Sequence, residues 1–331
     1  VQGYTLTRDK TITINSGKEV EITGTGKITS GTNSIRTITN SGTLTISNNI
    51  TIENMSTSSS NAPIYTNNNS VTNINDNVQI IGNYRGIYHY YGTVNVNGGK
   101  IEATYQGSSA YGIYSSSSSS KIYMNNGEIK GYYGIYNNGL LELVNGKIIG
   151  IGAQGIYSYG TTNIYGGRIE GKTYGVYSSG TDKVTIGREE DDLSTTQPAI
   201  YGANYGIYMY NETYSFNFYN GVIISNTKET AYRGVVNPRT GHMPYTYLDY
   251  ETEQKYCTIL TPVVGNIEIK AEPTEYTNQN VTVTITYPYT QGITREYSED
   301  GTEWKQAEEY VQEVLVEENK TIYARIINES G

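Results

Sequence analysis

Tyr111-Gly112-Ile113-Tyr114 returns as Tyr133-Gly134-Ile135-Tyr136 and Tyr205-Gly206-Ile207-Tyr208, and once as Tyr174-Gly175-Val176-Tyr177. Arg85-Gly86-Ile87-Tyr88 and Gln154-Gly155-Ile156-Tyr157 are variants of the same phrase. From glycine to glycine the copies lie 26, 22, 21, 20 and 31 residues apart, which is the spacing of a solenoid carrying one insertion.

Each phrase is followed by a pair of alternating apolar residues: Val94/Val96, Ile122/Met124, Leu141/Leu143, Thr162/Ile164, Val184/Ile186 and Phe216/Phe218. Alternation with period two means a strand with one buried face. Both phenylalanines of the chain fall on this pair in a single copy. A third apolar position follows at Ile101, Ile129, Ile148, Ile169 and Ile223, usually after an Asn-Gly or Gly-Gly turn, and the copy between Gly175 and Gly206 breaks this part of the pattern. Three short strands per repeat, separated by turns, predict a three-sided parallel coil whose strands bond to their equivalents in the neighbouring turns. Weaker copies around Ile38, Leu44, Ile46, Ile64 and Ile74 lead back to a first turn at Ile12, Ile14, Val20 and Ile22. About ten rungs spaced by about 4.8 Å give a rod on the order of 50 Å long. A propeller needs four antiparallel strands in a longer unit, and leucine-rich repeats carry a Leu/Asn frame, so neither fits.

The composition agrees with an all-β chain. Tyr accounts for 35 of the 331 residues, against 2 Phe and 1 Trp, and Ile, Val and Thr occur in short runs without helical spacing. A net charge of −9 and the lack of a Lys/Arg stripe argue against a nucleic-acid partner. No run is long and apolar enough for a membrane-spanning helix, so no membrane insertion is expected. The single cysteine, Cys257, excludes an internal disulfide and is expected to be a buried thiol.

The Tyr-Gly-Ile-Tyr phrase and the Asn-Gly-Lys-Ile or Gly-Gly-Arg-Ile turns make residues 1–240 resemble the adhesin-like, right-handed parallel β-helix proteins of Gram-positive bacterial surfaces, within the pectate-lyase-like fold group. Residues 241–262, which contain Pro244 and Pro262 and lose the repeat, are read as a C-terminal cap and linker. Residues 263–331 alternate again through Ile267, Ile269, Val281, Val283, Ile285, Val314, Val316, Ile322, Ala324 and Ile326. Their Ser298-Glu299-Asp300-Gly301-Thr302-Glu303-Trp304 hairpin and Asn319-Lys320-Thr321-Ile322-Tyr323-Ala324-Arg325 strand resemble bacterial Ig-like modules. The fold class expected is a three-sheet parallel β-helix followed by a small Ig-like β-sandwich, with Trp304 in the core of the latter. The start at Val1 without a signal segment and the ending at Glu329, Ser330 and Gly331 suggest a piece of a longer, secreted or cell-wall-associated surface polypeptide, expected to be monomeric.

Candidate chemistry is sparse. The fold group contains polysaccharide lyases and glycoside hydrolases, but fold does not confer function. A hydrolase needs two carboxylates across one groove, and a lyase needs clustered acids plus a base. The best acidic cluster is Glu189, Glu190, Asp191 and Asp192 in the insertion; it lacks the alternating spacing of a calcium loop, and a solvated turn is the simpler reading. His89 and His242 are the only histidines and lie far apart in sequence. No catalytic set, metal site or cofactor is expected. Lys100, Glu128, Lys147 and Arg168 precede the third-strand Ile and should form a charged ladder on a solvent face. Tyr88, Tyr114, Tyr136, Tyr157, Tyr177 and Tyr208 follow the inward Ile or Val, so alternation stands them outward as a stacked column. Stacking alone accounts for such a column, and an exposed aromatic strip also suits a glycan or a host-surface protein. The expected function is a non-catalytic adhesin-like or stalk protein; the alternative is a polysaccharide lyase or glycoside hydrolase.

Overall fold

The structure, a computed structural model, describes residues 2–191, 197–227, 230–249, 255–262, 266–274, 279–288, 293–307 and 310–328. Val1, Asp192 of the acidic cluster, Val263 at the expected module start, and Glu329, Ser330 and Gly331 lie outside these. No helix occurs among the described residues. They group into two compact units, Val1–Thr240 with Pro244–Leu260, and Gly241–Met243 with Thr261–Gly331.

The first unit is a parallel β-solenoid of three sheets and about ten turns, as the repeat predicts. Sheet A has 12 strands, running from Gln2–Thr7 through Lys100–Ala103, Glu128–Gly131 and Lys147–Gly150 to Val222–Ser225 and beyond. Sheets B and C have 10 each. Sheet B holds the tyrosine phrases, such as Tyr111–Ser115 and Tyr133–Asn137, and sheet C holds the alternating pairs, such as Thr93–Val96 and Lys121–Met124. Each strand pairs in register with its equivalent one repeat away: Ile101 with Ile129, Ile113 with Ile135, Val94 with Ile122.

The register stacks like side chains into interior ladders. In sheet A, Ile52, Ile80, Ile101, Ile129, Ile148 and Ile169 are all fully buried. Burying one such side chain contributes roughly 1.5–3 kcal/mol, so the ladders supply the main drive for rung stacking. The copy between Gly175 and Gly206 keeps this ladder after all. Ile200, in the strand Ala199–Gly202, pairs with Ile169 on one side and Ile223 on the other. The extra residues lie ahead of that strand, which is why the fixed offset from the phrase misses it.

Glycine in the tyrosine phrase is dictated by close approach. A Cβ on Gly112 would sit 2.6 Å from Ile129 Cγ2 and 2.7 Å from the Gly134 oxygen, and one on Gly134 would sit 2.4 Å from the Gly155 oxygen. The corner entering sheet B therefore presses against the sheet A ladder and has no room for a side chain.

Sheet B also buries a polar ladder, one residue past each outward position of the column (Thr39, then the tyrosines): Asn40, Thr66, His89, Ser115, Asn137 and Ser158, continuing to Ser178. These groups satisfy backbone atoms at the turn into sheet C, which would otherwise be buried unpaired. Asn40 donates to the Val71 oxygen and Asn137 to the Thr161 oxygen, both at 2.9 Å, and each accepts a backbone N–H two residues on. Thr162, a polar residue in an apolar pair, is explained here, because its hydroxyl bonds Ser158 at 2.9 Å and accepts from Asn137 at 3.2 Å.

The parallel order of sheet A ends at Lys255–Pro262, which pairs antiparallel with the last rung, Ile223 to Thr258 and Ser225 to Tyr256; His242–Asp249 follows it in the sheet. Cys257 is buried there beside Ala199 and Val222.

The second unit contains two three-stranded antiparallel sheets. One joins Glu268–Glu272, Val281–Thr286 and Val311–Val316; the other joins Lys305–Gln306, Ile293–Ser298 and Tyr323–Asn328. Val283, Ile285, Tyr287, Ala307, Val314 and Val316 form its buried cluster, with Tyr297 and Ala324 packed against it. Trp304 is not part of that cluster. It is half-buried, with the Arg325 guanidinium 3.8 Å above its ring and the Arg325 Nε bonded to Glu296 at 2.7 Å. At the hairpin the Asp300 carboxylate accepts the N–H groups of Thr302 and Glu303, at 2.7 and 2.9 Å, and Gly301 adopts φ +78°.

Candidate functional site: the tyrosine face of sheet B

All six tyrosines expected in a column are brought together, and a seventh joins them. Tyr65 pairs in register with Tyr88, and the series runs without a gap through Tyr114, Tyr136, Tyr157, Tyr177 and Tyr208. Sequence reasoning missed Tyr65 because the phrase there reads Ala62-Pro63-Ile64-Tyr65; the signal was the Ile-Tyr pair alone. Ring centroids of successive members lie 5.1, 5.5, 4.8, 5.6, 4.7 and 5.6 Å apart. These are the separations of offset or edge-to-face aromatic pairs, each worth about 0.5–1.5 kcal/mol beyond area burial.

A second outward column, three residues earlier on each strand, thickens the face. Arg85, Tyr111 and Tyr133 are in register, as are Tyr174 and Tyr205, and Gln154 holds the intervening position in its own phrase. Tyr111 stacks on Tyr133 at 5.0 Å, and Tyr174 stacks on Tyr208 at 4.3 Å. Both columns are half-buried, so the rings are in part exposed to solvent while packed on one another. Tyr159 and Tyr210, 43% and 63% exposed, extend the face at the turn into sheet C. Six rung steps make the face about 30 Å long, and three residues of strand make it about 10 Å wide. An aromatic patch of about 300 Å² falls within the range of the largest patch on a typical monomer, and such patches are often functional.

Arginines bracket the aromatic column. Arg36 lies 3.3 Å from the Tyr65 ring centroid at one end, and Arg233 lies 4.8 Å from that of Tyr208 at the other. Arg85 bridges Tyr88 and Tyr114, at 4.2 and 4.1 Å. Burial pushes the Tyr111 phenol up to about 12, helped by Tyr133 and Tyr114, and moves Tyr133, Tyr136, Tyr174 and Tyr177 in the same direction. Tyr157 is raised as well, by burial and by its hydroxyl contact with Tyr159 at 2.9 Å. These phenols stay neutral in any physiological medium and present flat apolar rings edged with hydroxyl groups.

The other candidates do not converge. Glu189 accepts the Thr240 hydroxyl at 3.0 Å, and the Asp191 carboxylate accepts the Arg188 N–H of its own turn at 2.7 Å. Among the described residues no group of three or more His, Cys, Asp or Glu side chains is placed to hold a metal ion. His89 is fully buried in the polar ladder, with Nδ1 2.6 Å from the Thr66 hydroxyl and Nε2 donating to the Lys121 oxygen at 3.1 Å. Lys100, Glu128, Lys147 and Arg168 do stack on the outer side of sheet A. Their ion pairs also reach a second column that sequence reasoning missed: Glu102 meets Lys100 and Lys130, at 2.9 and 3.1 Å, and Glu170 meets Lys147 at 3.0 Å. Burial opposes ionisation of Glu102 and Glu170, but hydrogen bonds from Lys100 and Lys130, and from Arg168 and Lys147, outweigh it and hold both below the usual carboxylate range. Both are thus poor general acids. Two hollows on the solenoid, about 310 Å³ beside Gly146, Gly167 and Arg168 and about 220 Å³ beside Tyr91 and Lys121, have no Asp or Glu in their lining.

Comparison with models of known protein families, with curated proteins and with solved structures finds no match to this chain.

Proposed function

We propose that this chain is a non-catalytic, adhesin-like protein of an extracellular surface that holds a glycan along sheet B of its solenoid. The observation that carries the reading is the unbroken run of seven half-buried tyrosines from Tyr65 to Tyr208. Sugar rings stack by their C–H faces on neutral aromatic rings, and the phenol hydroxyls offer hydrogen bonds at the edges. A broad, shallow strip suits retention of an extended polymer, whereas catalysis calls for acid and base converging in a cleft. The second unit, with its Asp300-Gly301 hairpin, fits the role of an Ig-like spacer in a larger surface protein. The chain acts as a monomer in this proposal, because one solenoid supplies the entire strip.

A spacer without a ligand is the second reading, and the ring-to-ring contacts favour it, since the tyrosines already pack on one another. The two readings separate on retention of the purified chain by immobilised glycans. Replacing Tyr136 and Tyr157 together by Ser removes the centre of the strip and should abolish retention while the solenoid stays folded. Unchanged retention by the folded double variant overturns the assignment to sheet B.

A further inference from the structure

Charge is distributed unevenly among the three sheets. The chain carries 32 acidic against 23 basic Lys and Arg side chains. Sheet A displays both signs on its outer side, with Glu53, Glu102, Glu128 and Glu170 tied to lysines or arginine, and sheet C displays Glu19, Glu21 and Glu142 together with Lys121. The two outward columns of sheet B contain Lys10, Arg36, Arg85 and Arg233 and no Asp or Glu, over all ten rungs. The single aromatic face of an acidic protein is therefore its cationic face as well.

Two of these cations are half-buried with no counter-charge among the described residues. Arg233 is ion-paired to Glu212 at 3.1 Å and donates to the Met209 and Tyr210 oxygens. Arg36 and Arg85 are both half-buried against tyrosine rings, and neither has a carboxylate partner among the described residues. The Arg85 Nε is buried with no hydrogen-bond partner. Removing a guanidinium from water without pairing it is costly, and a ring quadrupole offsets only part of the cost. An anion laid against the outer edge of the guanidinium, at its Nη groups and not at the buried Nε, would supply the missing counter-charge, with the bidentate fit that arginine gives to carboxylate and sulfate. Arg36 and Arg85 each lie three residues ahead of a register-matched outward residue, Thr39 and Tyr88, two rungs apart, about 10 Å along the axis. That suits a polymer with repeating charges, running along the sheet past Tyr65 and Tyr88, which the arginines cover, onto the tyrosines from Tyr111 onward.

Resting on the glycan-binding reading above, we propose that sheet B selects a glycan bearing anionic substituents, carboxylate or sulfate, with Arg36 and Arg85 receiving the anions and the tyrosines from Tyr111 to Tyr208 receiving the sugar rings.

The test compares the full chain on heparin, on hyaluronan and on an uncharged glucan. Both acidic polymers or one of them should be retained more tightly than the glucan, and that retention should weaken steeply as sodium chloride is raised. Preference for heparin would name sulfate as the anion, and preference for hyaluronan would name carboxylate. The double variant Arg36→Gln/Arg85→Gln keeps long polar stems against the rings and should lose about tenfold or more in affinity for the preferred polymer, the scale of hydrogen bonds to charged groups. Lys100→Gln/Lys147→Gln on sheet A should lose none. Equal, salt-insensitive retention of all three polymers by the unaltered chain would overturn the anion site while leaving glycan binding intact, and it needs no variant to fold. Equal losses from the sheet A and sheet B variants would also overturn it, and retention of no glycan at all would overturn the reading on which it rests.

Discussion

Lowering the pH should destabilise the solenoid through His89, and the size of the effect follows from where the imidazole sits. Burial pushes its pKa down from 6.5 to about 4, opposed by its hydrogen bond to the Lys121 oxygen. The unfolded chain therefore binds a proton below 6.5, while the folded chain binds it only near 4. Stability from this group is complete above 6.5 and is lost as pH falls through the window between the two values. With about 1.4 kcal/mol per pKa unit, the loss is about 2 kcal/mol at about pH 5 and about 3 kcal/mol by about pH 4. Other carboxylates titrate in the same range, so the contribution is isolated by difference against His89→Asn. Asparagine suits this position because Asn40 and Asn137 hold equivalent places in the ladder and donate to the equivalent oxygens of Val71 and Thr161, as His89 does to Lys121. Denaturant unfolding followed by circular dichroism at several pH values gives the stability of each protein. The gap between the original chain and the variant should narrow or reverse by about 2–3 kcal/mol between pH 7 and pH 4. A gap independent of pH would refute the placement of His89 as a neutral, buried group.

Two further outcomes test the packing. Gly134→Ala places a methyl 2.4 Å from the Gly155 oxygen and 2.6 Å from Ile148 Cγ2, and should cost about 1–3 kcal/mol in thermal or denaturant unfolding; an unchanged melting point would contradict the close approach at this corner. Glu102→Gln breaks pairs to Lys100 and Lys130 at the surface of sheet A and should cost about 0.5 kcal/mol at low salt and less at high salt, so a loss of several kcal/mol would mean that network carries a larger load than its exposure implies.

Much of the solenoid was legible because its ladders repeat one residue type at one register: the third-strand Ile, the alternating pair and the outward tyrosine each mark a strand. What escaped did so for physical reasons. Ile200 is displaced from its expected offset by an insertion, although register restores it to the ladder. Tyr65 lies in a phrase whose glycine is replaced by Pro63, so the repeat is masked while the outward position persists. The interior ladder through Asn40, His89 and Ser115 looks like turn composition, because polar residues near a bend are ordinarily solvated; only the three-dimensional stacking shows them buried and bonded to backbone. Trp304 was expected inside, yet its ring is covered by Arg325 from the strand Tyr323–Asn328, a contact between residues distant in sequence that alternation alone does not encode. At the candidate site the aromatic column was readable from spacing, whereas the confinement of acidic side chains to sheets A and C, away from the columns of sheet B, required knowing which residues share a face.

The most direct test of the account is to incubate the purified chain with a panel of plant, microbial and host glycans and record both retained protein and newly formed reducing or unsaturated ends. Retention without product is the result predicted for a binding surface built on sheet B. Release of new chain ends would instead make the protein a polysaccharide lyase or glycoside hydrolase, and would contradict the account.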